Sequence, residues 1–400
     1  MTEVADPQFP MARSCPFSPP AQYAGLRERA PVSKVSLPSG RQAWAVTRHD
    51  ELRAMLTDTR FSSDRTNPDF PYLVKERPKN DNRFPPTMIS MDAPEHTAAR
   101  RAVVGEFTVR RMEALRPRIQ QIVDEHLDAM LAGPKPADLV RALSLPVPSL
   151  VICELLGVPY GDHEFFQASS SRLLDRGESA EERDEAVRGL MNYLDELVTA
   201  AEAEPGDNLI GRQVRKQREE GTRDHRGLVG MAFLLLIAGH ETTANMISLG
   251  TLALLEHPDQ LALLREDRGR TLGAVEELLR YFTIAETAVS RVAVADTELG
   301  GVTIRAGEGV LGLGNAANRD PAAFPDADRL DITRSARHHV AFGFGAHQCL
   351  GQNLARLELQ IVFDTLFDRV PGLRLAATLE ELPFKDDSTV YGLHELPVTW

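Results

Sequence analysis

The chain has 400 residues, 42% of them apolar and 26% charged, a composition typical of a folded globular protein and not of a disordered or fibrous one. Its formal net charge of −13 disfavours nonspecific binding to nucleic acids, because such binding depends on basic surfaces. The cysteines Cys15, Cys153 and Cys349 are too few, and odd in number, for a disulfide framework. They indicate a reducing compartment, and Cys153 lies in an apolar stretch that we expect in the core.

The N-terminal segment, from Met1 to about Pro20, is proline-rich and lacks the basic start and apolar core of a signal peptide. The most continuous apolar run, Met231–Ala238, is too short to cross a bilayer. We find no long linker, repeat or low-complexity block that would divide the chain. These features predict a single domain over residues 1–400, with a flexible segment at residues 1–20, in a soluble cytoplasmic protein that binds neither membrane nor nucleic acid.

Helical periodicity covers much of the chain, whereas strand-like stretches are fewer and short. In chain order, the clear helices are Val109–Ala132, Glu181–Ala203, Leu228–Glu256, His257–Glu266 and Thr271–Phe282, with a further helical pattern from Gln352. The strand-like stretches are Gln42–Thr47, Arg291–Val294, and Glu298–Ile304 leading to Gly309–Leu313. The pattern predicts a mainly α protein with a small β-rich region.

The segment from Phe342 to Gly351 places Cys349 in a glycine-punctuated loop just before the last predicted helix. Glycines such as Gly343 permit sharp turns and let a flat ligand approach the main chain. The unpaired N–H groups at the helix start favour thiolate over thiol. A lone cysteine near a helix start is more often a small buried apolar residue. The glycines, Phe342 and His347 favour the other interpretation, a thiolate that binds haem iron.

The pattern Phe-x-x-Gly-x-x-x-Cys-x-Gly fits Phe342, Gly345, Cys349 and Gly351 without a gap. It resembles the haem-binding loop of the cytochrome P450 family, the haem-thiolate monooxygenases. The resemblance covers almost the whole chain and is greatest with the soluble actinobacterial branch that acts on polyketides, macrolides, statins, vitamin D and foreign compounds. It implies a triangular helical prism with haem b between the central helix and the cysteine-loop helix. It also implies that Cys349 is the axial iron ligand and that Phe342, Gly343 and Gly351 adjoin the haem.

The central predicted helix is interrupted by the segment Ala238–Thr243, which contains a glycine, an acid and two hydroxyls. Glycine costs about 1 kcal/mol relative to alanine in a helix interior, and threonine can bend a helix. A kinked core helix is the plain interpretation. The segment also resembles the family's Ala/Gly-Gly-x-Asp/Glu-Thr motif, which implies that Ala238 adjoins the haem and that Glu241 and Thr242 deliver protons. A zinc-protease pattern, His-Glu-x-x-His, fails because Ala244 occupies the second histidine position.

Glu277 and Arg280 are three residues apart in a predicted helix and therefore share one face. Such a pair is usually a surface ion pair of little energetic weight. It resembles the family's structural Glu-x-x-Arg pair and lies in the expected order, between the central helix and the cysteine loop. The resemblance implies that Arg329 supplies the third polar group of this network.

The two propionates of haem require cationic or hydrogen-bonding partners. His96 and Arg100 are four residues apart in a helical stretch and point the same way, Arg291 opens a strand, and His347 lies two residues before the cysteine. Any one of these four residues, taken by itself, is most often an ordinary charged residue on the protein surface. Together they resemble the family's propionate-binding pattern, and arginine suits this role because it binds carboxylates bidentately.

The resemblance implies a mostly apolar pocket and hence a medium-to-large lipophilic small molecule as substrate. The expected pocket residues come from four separate segments: Met88, Ile89, Leu234, Ile237, Glu286, Thr287, Val289, Thr389 and Val390. Two loop-like stretches, Ser63–Ser90 and Arg176–Asp184, are expected to govern substrate specificity.

The implied reaction is hydroxylation, in which one oxygen atom of O₂ enters a C–H bond and the other leaves as water. Electrons are expected from a ferredoxin and an NAD(P)H-dependent ferredoxin reductase, since the sequence shows no flavin or iron–sulfur region. We expect a monomer that docks the ferredoxin on its cysteine side. The candidate docking residues are Arg101, Arg110, Arg111, Arg337 and His338.

Two other functions stay open on the sequence alone. One is a haem-thiolate peroxygenase that uses peroxide, and the other is a haem sensor without turnover. The Glu241–Thr242 pair favours oxygen activation over both, because peroxide-dependent members often lack it and a sensor has no need of it.

Overall fold

The structure is a computed structural model and describes residues 6–75, 87–174, 179–386 and 388–400. Its helices, in chain order, are α1 Gln22–Arg29, α2 His49–Thr57, α3 Glu95–Val103, α4 Val109–Ala132, α5 Pro146–Leu156, α6 His163–Leu174, α7 Ala180–Ala203, α8 Leu209–Glu219, α9 His225–Glu256, α10 Pro258–Glu266, α11 Thr271–Phe282, α12 Gly314–Ala317 and α13 Gln352–Arg369. Its strands are β1 Val32–Ser36, β2 Gln42–Val46, β3 Phe61–Ser62, β4 Ala137–Asp138, β5 Ser290–Ala293, β6 Thr297–Leu299, β7 Val302–Ile304, β8 Gly309–Gly312, β9 Arg374–Leu375 and β10 Pro397–Thr399.

The described residues form two compact units. The first draws on residues 6–75, 88–97 and 276–349. The second draws on residues 87, 98–174, 179–275, 350–386 and 388–400. The prediction of one domain over the whole chain stays a prediction.

The first unit is built on a five-stranded sheet with the strand order β1-β2-β8-β5-β3. Strand β8 runs parallel to β2 and antiparallel to β5, where Arg291 is the register partner of Val310. Buried apolar side chains of the sheet and of α2, including Val46, Leu52 and Val310, form its core. This packing places Arg291 on an interior strand of the sheet.

Part of the N-terminal segment that we predicted to be flexible is tied to the same sheet. Gln8 forms a parallel bridge to Ser36 of β1, and the N–H of Phe9 donates to the Ser36 carbonyl at 2.9 Å. The Phe9 ring is buried beside Tyr23. These contacts hold this part of the segment against the sheet.

The second unit is helical, with a small sheet in the order β4-β10-β9. Helix α9 packs against α5, α7 and α13. By length and composition α9 could span a membrane, but 56% of its most apolar window is buried inside the protein. Its packing partners therefore make α9 the central core helix of this unit.

The predicted helices and strands agree closely with the structure. The bounds predicted for α4 and α11 are those observed, α9 begins three residues earlier at His225, and α10 begins at Pro258. The predicted strand Glu298–Ile304 is the hairpin of β6 and β7, which turns at Gly300 and Gly301. Both glycines adopt the positive φ angles, +58° and +81°, that a tight hairpin turn requires.

The prediction of a loop over Arg176–Asp184 is wrong in its second half, because α7 already begins at Ala180. Ser179 and Glu182 form a capping box: the Ser179 hydroxyl accepts from the Glu182 N–H at 3.2 Å, and the Ser179 N–H donates to the Glu182 carboxylate at 3.0 Å. This capping box starts α7 at Ala180, within the charged stretch that was predicted to be a loop up to Asp184. Residues 175–178, and residues 76–86 of the other predicted loop, lie outside the described residues.

Candidate functional site

The cysteine loop is shaped by glycines and closed by a backbone hydrogen bond. Gly343 and Gly345 have φ angles of +68° and +71°, in the left-handed region that favours glycine. A Cβ atom on Gly345 would lie 2.6 Å from the Leu56 carbonyl oxygen, so this glycine also permits close packing on α2. The Cys349 N–H donates to the Phe342 carbonyl at 2.8 Å. The resulting loop presents the Cys349 thiol as an exposed group.

A cluster of polar side chains in the first unit brings two predicted haem-binding residues together. The rings of His96 and His347 lie 3.9 Å apart between centroids. The Ser63 hydroxyl is 3.2 Å from Nε2 of His347, and the Ser63 N–H donates to the Asp92 carboxylate at 2.8 Å. The structure thus places His96 and His347 side by side and adds Ser63 and Asp92, which the sequence analysis missed.

The other predicted propionate partners are Arg100 and Arg291. Arg291 is buried on β5, where its guanidinium donates to the Ser290 carbonyl at 2.8 Å. Burial lowers the pKa of Arg291 to about 10, and attraction to Asp92 partly offsets that effect. Arg100 lies one turn after His96 on α3. A buried guanidinium that keeps its charge is suited to receive a carboxylate.

The segment leading into the cysteine loop is anchored by a buried pair that the sequence analysis missed. Nε2 of His339 lies 3.0 Å from the Glu276 carboxylate, and both side chains are buried. Nδ1 of His339 accepts the Ala341 N–H at 3.1 Å, and the Val340 N–H donates to Asn318 at 2.9 Å. The Phe342 ring lies 5.8 Å from the His339 ring. These contacts tie the start of the loop to α11.

The predicted pair of Glu277 and Arg280 is fully buried and bidentate, with N–O distances of 2.7 and 2.8 Å. Nη1 of Arg280 also donates to the carbonyls of Asn318 and Ala327. A second guanidinium, that of Arg334, lies 3.2 Å from Glu277. The Glu-x-x-Arg pair is therefore a structural ion-pair network within the first unit.

The prediction that the Arg329 side chain completes this network is wrong. Arg329 contributes only its backbone carbonyl, which accepts from Arg280 at 3.3 Å, while its side chain is exposed. Arg334 takes the predicted position, because the turn after Asp331 directs its guanidinium back to the carboxylate. The sequence analysis named Arg329 from its position in the motif order and did not consider Arg334.

The central helix carries the predicted proton-delivery residues. The Thr242 hydroxyl donates to the Ala238 carbonyl, four residues earlier, at 2.7 Å, a bond that threonine commonly forms inside helices. Most of α9 is buried, but Leu234, Ile237, Ala238 and Thr242 retain exposure along one face. This face is apolar apart from the threonine, as a surface for a lipophilic ligand requires.

Glu241, in contrast, is buried and paired. Its carboxylate lies 3.0 Å from Nζ of Lys385, and the two side chains are 3% and 10% exposed. The Asn245 amide is 3.4 Å from the same oxygen. Burial lowers the pKa of the neighbouring His240, which favours the neutral imidazole. Lys385 gave no signal in the sequence, since it lies outside any motif.

The predicted substrate contacts divide between the two units. Glu286 and Val289 are half-buried in a 3₁₀ turn of the first unit, and the Thr287 side chain lies outside the description. Met88 is buried and Ile89 is exposed. In the second unit Leu234, Ile237 and Thr389 are half-buried and Val390 is buried.

The residues predicted to dock a ferredoxin differ in their environments. Arg101, Arg110 and Arg337 are exposed. Arg111 is held at 2.9 Å by the buried Glu106 carboxylate. His338 is exposed, and one ring face stacks on Phe324 at 4.3 Å. All five side chains are exposed, and Arg111 and His338 are in addition held by these contacts.

The profile of the cytochrome P450 family matches residues 37–370, and the chain belongs to this family. It is a haem-thiolate monooxygenase, an oxidoreductase that inserts oxygen from O₂ into its substrate. The fold, the function class and the cofactor predicted from the sequence are thereby confirmed.

Within the family the chain belongs to the CYP105 group of actinobacterial enzymes. It is 54% identical over 400 residues to pentalenic acid synthase of Streptomyces avermitilis, covering 100% of this chain and 99% of the relative. It is 51% identical over 395 residues to vitamin D3 dihydroxylase of Streptomyces griseolus, covering 98% of this chain and 97% of the relative. The crystal structure of cytochrome P450 MoxA from Nonomuraea recticatena (CYP105) superposes with a TM-score of 0.91 at 59% identity, covering 99% of each chain.

The residues of the first unit fit the haem that the family binds. An exposed thiol on a glycine-turned loop supplies the soft ligand that iron takes in this family. Two neighbouring imidazoles and a buried guanidinium supply donors and positive charge suited to propionates. In the described residues, no group of three or more His, Cys, Asp or Glu side chains could hold a separate metal ion.

Proposed function

We propose that Cys349 is the axial ligand of the haem iron and that the protein hydroxylates a medium-to-large lipophilic small molecule. The observation that carries this proposal is the loop itself, in which two left-handed glycines and the Cys349–Phe342 hydrogen bond present an exposed thiol. When bound, the haem supplies the chemistry that reduces and activates O₂. Phe342, Gly343, Gly351 and Ala238 are the further residues that would contact it.

His96, Arg100, Arg291 and His347 hold the two propionates in this proposal. The close contact of His96 with His347 supports it, because both imidazoles then reach one ligand group from neighbouring positions. Ser63 fixes the His347 ring through its hydroxyl. Arg291 adds a charge whose burial strengthens its attraction to a carboxylate.

Glu241 and Thr242 deliver the protons that O₂ reduction consumes. The Thr242 hydroxyl, on the accessible face of α9, presents an acceptor to incoming water while its proton is bonded to Ala238. Glu241, one residue earlier, is the titratable group of the pair. This role favours a monooxygenase over a peroxygenase, since hydrogen peroxide already carries its protons.

The substrate is a lipophilic molecule with a hydrogen-bond donor. The accessible face of α9 is mostly apolar, and two named relatives act on pentalenic acid precursors or vitamin D3 as their names indicate. Oε1 of Glu286 is buried and has no hydrogen-bond partner among the described residues. A hydroxyl of the substrate would satisfy this oxygen. Met88, Ile89, Leu234, Ile237, Thr287, Val289, Thr389 and Val390 complete the proposed pocket.

The enzyme is a monomer in the cytoplasm in this proposal. It receives its electrons from a ferredoxin, which an NAD(P)H-dependent reductase reduces. The exposed cations Arg101, Arg110 and Arg337 support docking of an acidic ferredoxin, and their attraction would weaken as salt increases. Reversal of the Arg110 charge should slow ferredoxin-supported turnover at low salt. Equal rates and equal salt dependence would remove Arg110 from this surface.

A spectral titration of the ferric protein tests the substrate class. Vitamin D3, a macrolide aglycone and a statin are added in turn, and the Soret shift that accompanies water displacement is recorded. Hits are then incubated with ferredoxin, reductase and NADPH, or with hydrogen peroxide alone. Product that forms only with the electron donors supports the monooxygenase, whereas product only with peroxide indicates the peroxygenase. Binding without product in either case indicates a sensor.

A further inference from the structure

Lys385 forms a buried ion pair with Glu241 that no motif predicts. Nζ lies 3.0 Å from Oε2, and the side chains are 10% and 3% exposed. Asn245, one turn further along α9, offers its amide to the same oxygen at 3.4 Å. At this depth the pair differs from a surface ion pair, because loss of one partner leaves the other charge buried and unpaired.

The backbone around Lys385 is fixed to α9. Phe384 and Leu393 form an antiparallel bridge, and the Lys385 N–H donates to the Gly392 carbonyl at 2.9 Å. A Cβ atom on Gly392 would lie 2.0 Å from Oδ1 of Asn245, so only glycine permits this approach. The Lys385 ammonium therefore reaches Glu241 from a segment that is locked in place.

The same segment carries Thr389 and Val390, two of the proposed substrate contacts. Both lie in the chain between Phe384 and Leu393, the two residues of the bridge that positions Lys385. The Val390 N–H donates to the Ser388 hydroxyl at 3.2 Å, and the Ser388 N–H donates to the Lys385 carbonyl at 3.4 Å. Two hydrogen bonds through Ser388 thus link the backbone of a proposed substrate contact to the backbone of Lys385.

We propose that Lys385 is a positioning residue for proton delivery by Glu241, an inference that rests on the role proposed above for that acid. A carboxylate that relays protons must return to its ionised form and to one orientation after each transfer. Lys385 favours the ionised form by its charge and fixes the orientation by its hydrogen bond. Glu241 takes one proton from water and passes one to the oxygen-binding side, while Lys385 keeps its own protons.

The first test asks whether the pair exists in solution. The midpoint of thermal unfolding is measured for the haem-loaded Lys385→Met, Glu241→Gln and double variants. Lys385→Met should lower the midpoint by several degrees, and Glu241→Gln in that background should recover part of the loss. The matched control Asp386→Asn removes an exposed charge next to Lys385 and should leave the midpoint unchanged. If the double variant lowers the unfolding midpoint by the sum of the two single effects, the two side chains do not interact and the ion pair is absent in solution.

The second test asks whether the pair acts on proton delivery. Spinach ferredoxin and its reductase drive turnover without added substrate, and the hydrogen peroxide released per NADPH oxidised is measured in H₂O and D₂O. Lys385→Met should raise peroxide release about threefold or more and enlarge the solvent isotope effect, since slow protonation lets peroxide escape. Lys385→Arg should stay close to wild type because it restores the charge. Asp386→Asn should match wild type.

The Glu241→Gln variant separates the two proposals. If Glu241→Gln raises peroxide release and Lys385→Met does not, Lys385 has no part in proton delivery and the inference is overturned, while the role of Glu241 stands. If neither variant differs from wild type, the proposed role of Glu241 is itself wrong. If Lys385→Arg fails as fully as Lys385→Met, charge is not what matters and the inference is again overturned.

Discussion

The imidazole of His347 lies against that of His96, with 3.9 Å between ring centroids, and Ser63 holds its outer nitrogen at 3.2 Å. One ring comes from the cysteine loop and the other from α3, so the first unit itself assembles part of the proposed propionate site. This contact joins two segments that are far apart in the sequence, so neither histidine reveals it alone.

Replacement of His96 or His347 by alanine should speed haem loss about tenfold, a change of about 1.4 kcal/mol, because each removes one charge-assisted hydrogen bond of ordinary strength. Transfer of haem to an excess of apomyoglobin measures this rate without any turnover. Ser63→Ala should have a smaller effect in the same direction. The control His126→Ala removes a histidine whose Nδ1 lies 2.8 Å from the Ile122 carbonyl of its own helix, α4, and it should lose haem at the wild-type rate.

Glu277→Gln should destabilise the protein by about 3–5 kcal/mol, since it leaves the buried Arg280 guanidinium without its counter-charge. Denaturant unfolding of the variant measures the change. Glu113→Gln, which breaks an exposed pair with Arg116, should cost less than about 1 kcal/mol. Equal losses of unfolding free energy in the two variants would show that the buried Glu277 network stabilises the protein no more than an exposed ion pair does.

Arg334→Ala and Arg329→Ala distinguish the observed network from the one predicted by sequence. The Arg334 guanidinium contacts Glu277, whereas the Arg329 side chain is exposed. Arg334→Ala should therefore lower the denaturant midpoint clearly, and Arg329→Ala should leave it nearly unchanged. The reverse order would restore the original assignment of Arg329.

The start of α9 should make stability depend on pH through His225. Hydrogen bonds to Asp195 and Glu202 raise the pKa of His225 above its ordinary value, and burial opposes this effect. Because the folded state binds the proton more tightly, the contribution is complete at pH values below the unfolded pKa and is lost as pH rises through the folded pKa. His225→Asn should flatten the stability profile above about pH 6.5, the ordinary histidine pKa, because the folded pKa lies higher. A variant with the wild-type slope would assign the slope to other groups.

Thr242→Ala should uncouple oxygen reduction from product formation. The variant loses the hydroxyl that bonds to Ala238 on the accessible face of α9, so more of the reduced oxygen should escape as hydrogen peroxide. We expect at least a severalfold increase in peroxide per NADPH. Thr243→Ser is the matched control, because Thr243 is buried one residue further along, and it should couple as the wild type does. Unchanged coupling in Thr242→Ala would remove the hydroxyl from proton delivery.

Local patterns explain which parts of the fold were predictable. Helices α4 and α11 have strong apolar periodicity, and both were predicted with their observed bounds. Helix α5 is buried on nearly every side, so its sequence has little periodicity and gave only an apolar stretch that contains the buried Cys153. Strands β4 and β9 have two residues each, too few for an alternating pattern to be recognised.

The same distinction applies to the site. The cysteine loop and the Glu241–Thr242 pair are contiguous in sequence and were predicted from it. The pairs Lys385–Glu241 and Ser63–His347 join residues 144 and 284 positions apart, and no local signal marks them. Arg334 rather than Arg329 reaches Glu277 because of the turn that follows Asp331. Such contacts depend on the tertiary fold and can only be found in the structure.

The measurement that tests the central claim most directly is the CO-difference spectrum of the reduced protein, compared between wild type and Cys349→His. The wild type should give the red-shifted Soret band of thiolate-ligated haem. Cys349→His should lose that band and give the band of imidazole-ligated haem, while Cys15→Ser, which alters an exposed cysteine elsewhere, should retain the wild-type spectrum. A red-shifted band that persists in Cys349→His would contradict the assignment of Cys349 as the iron ligand.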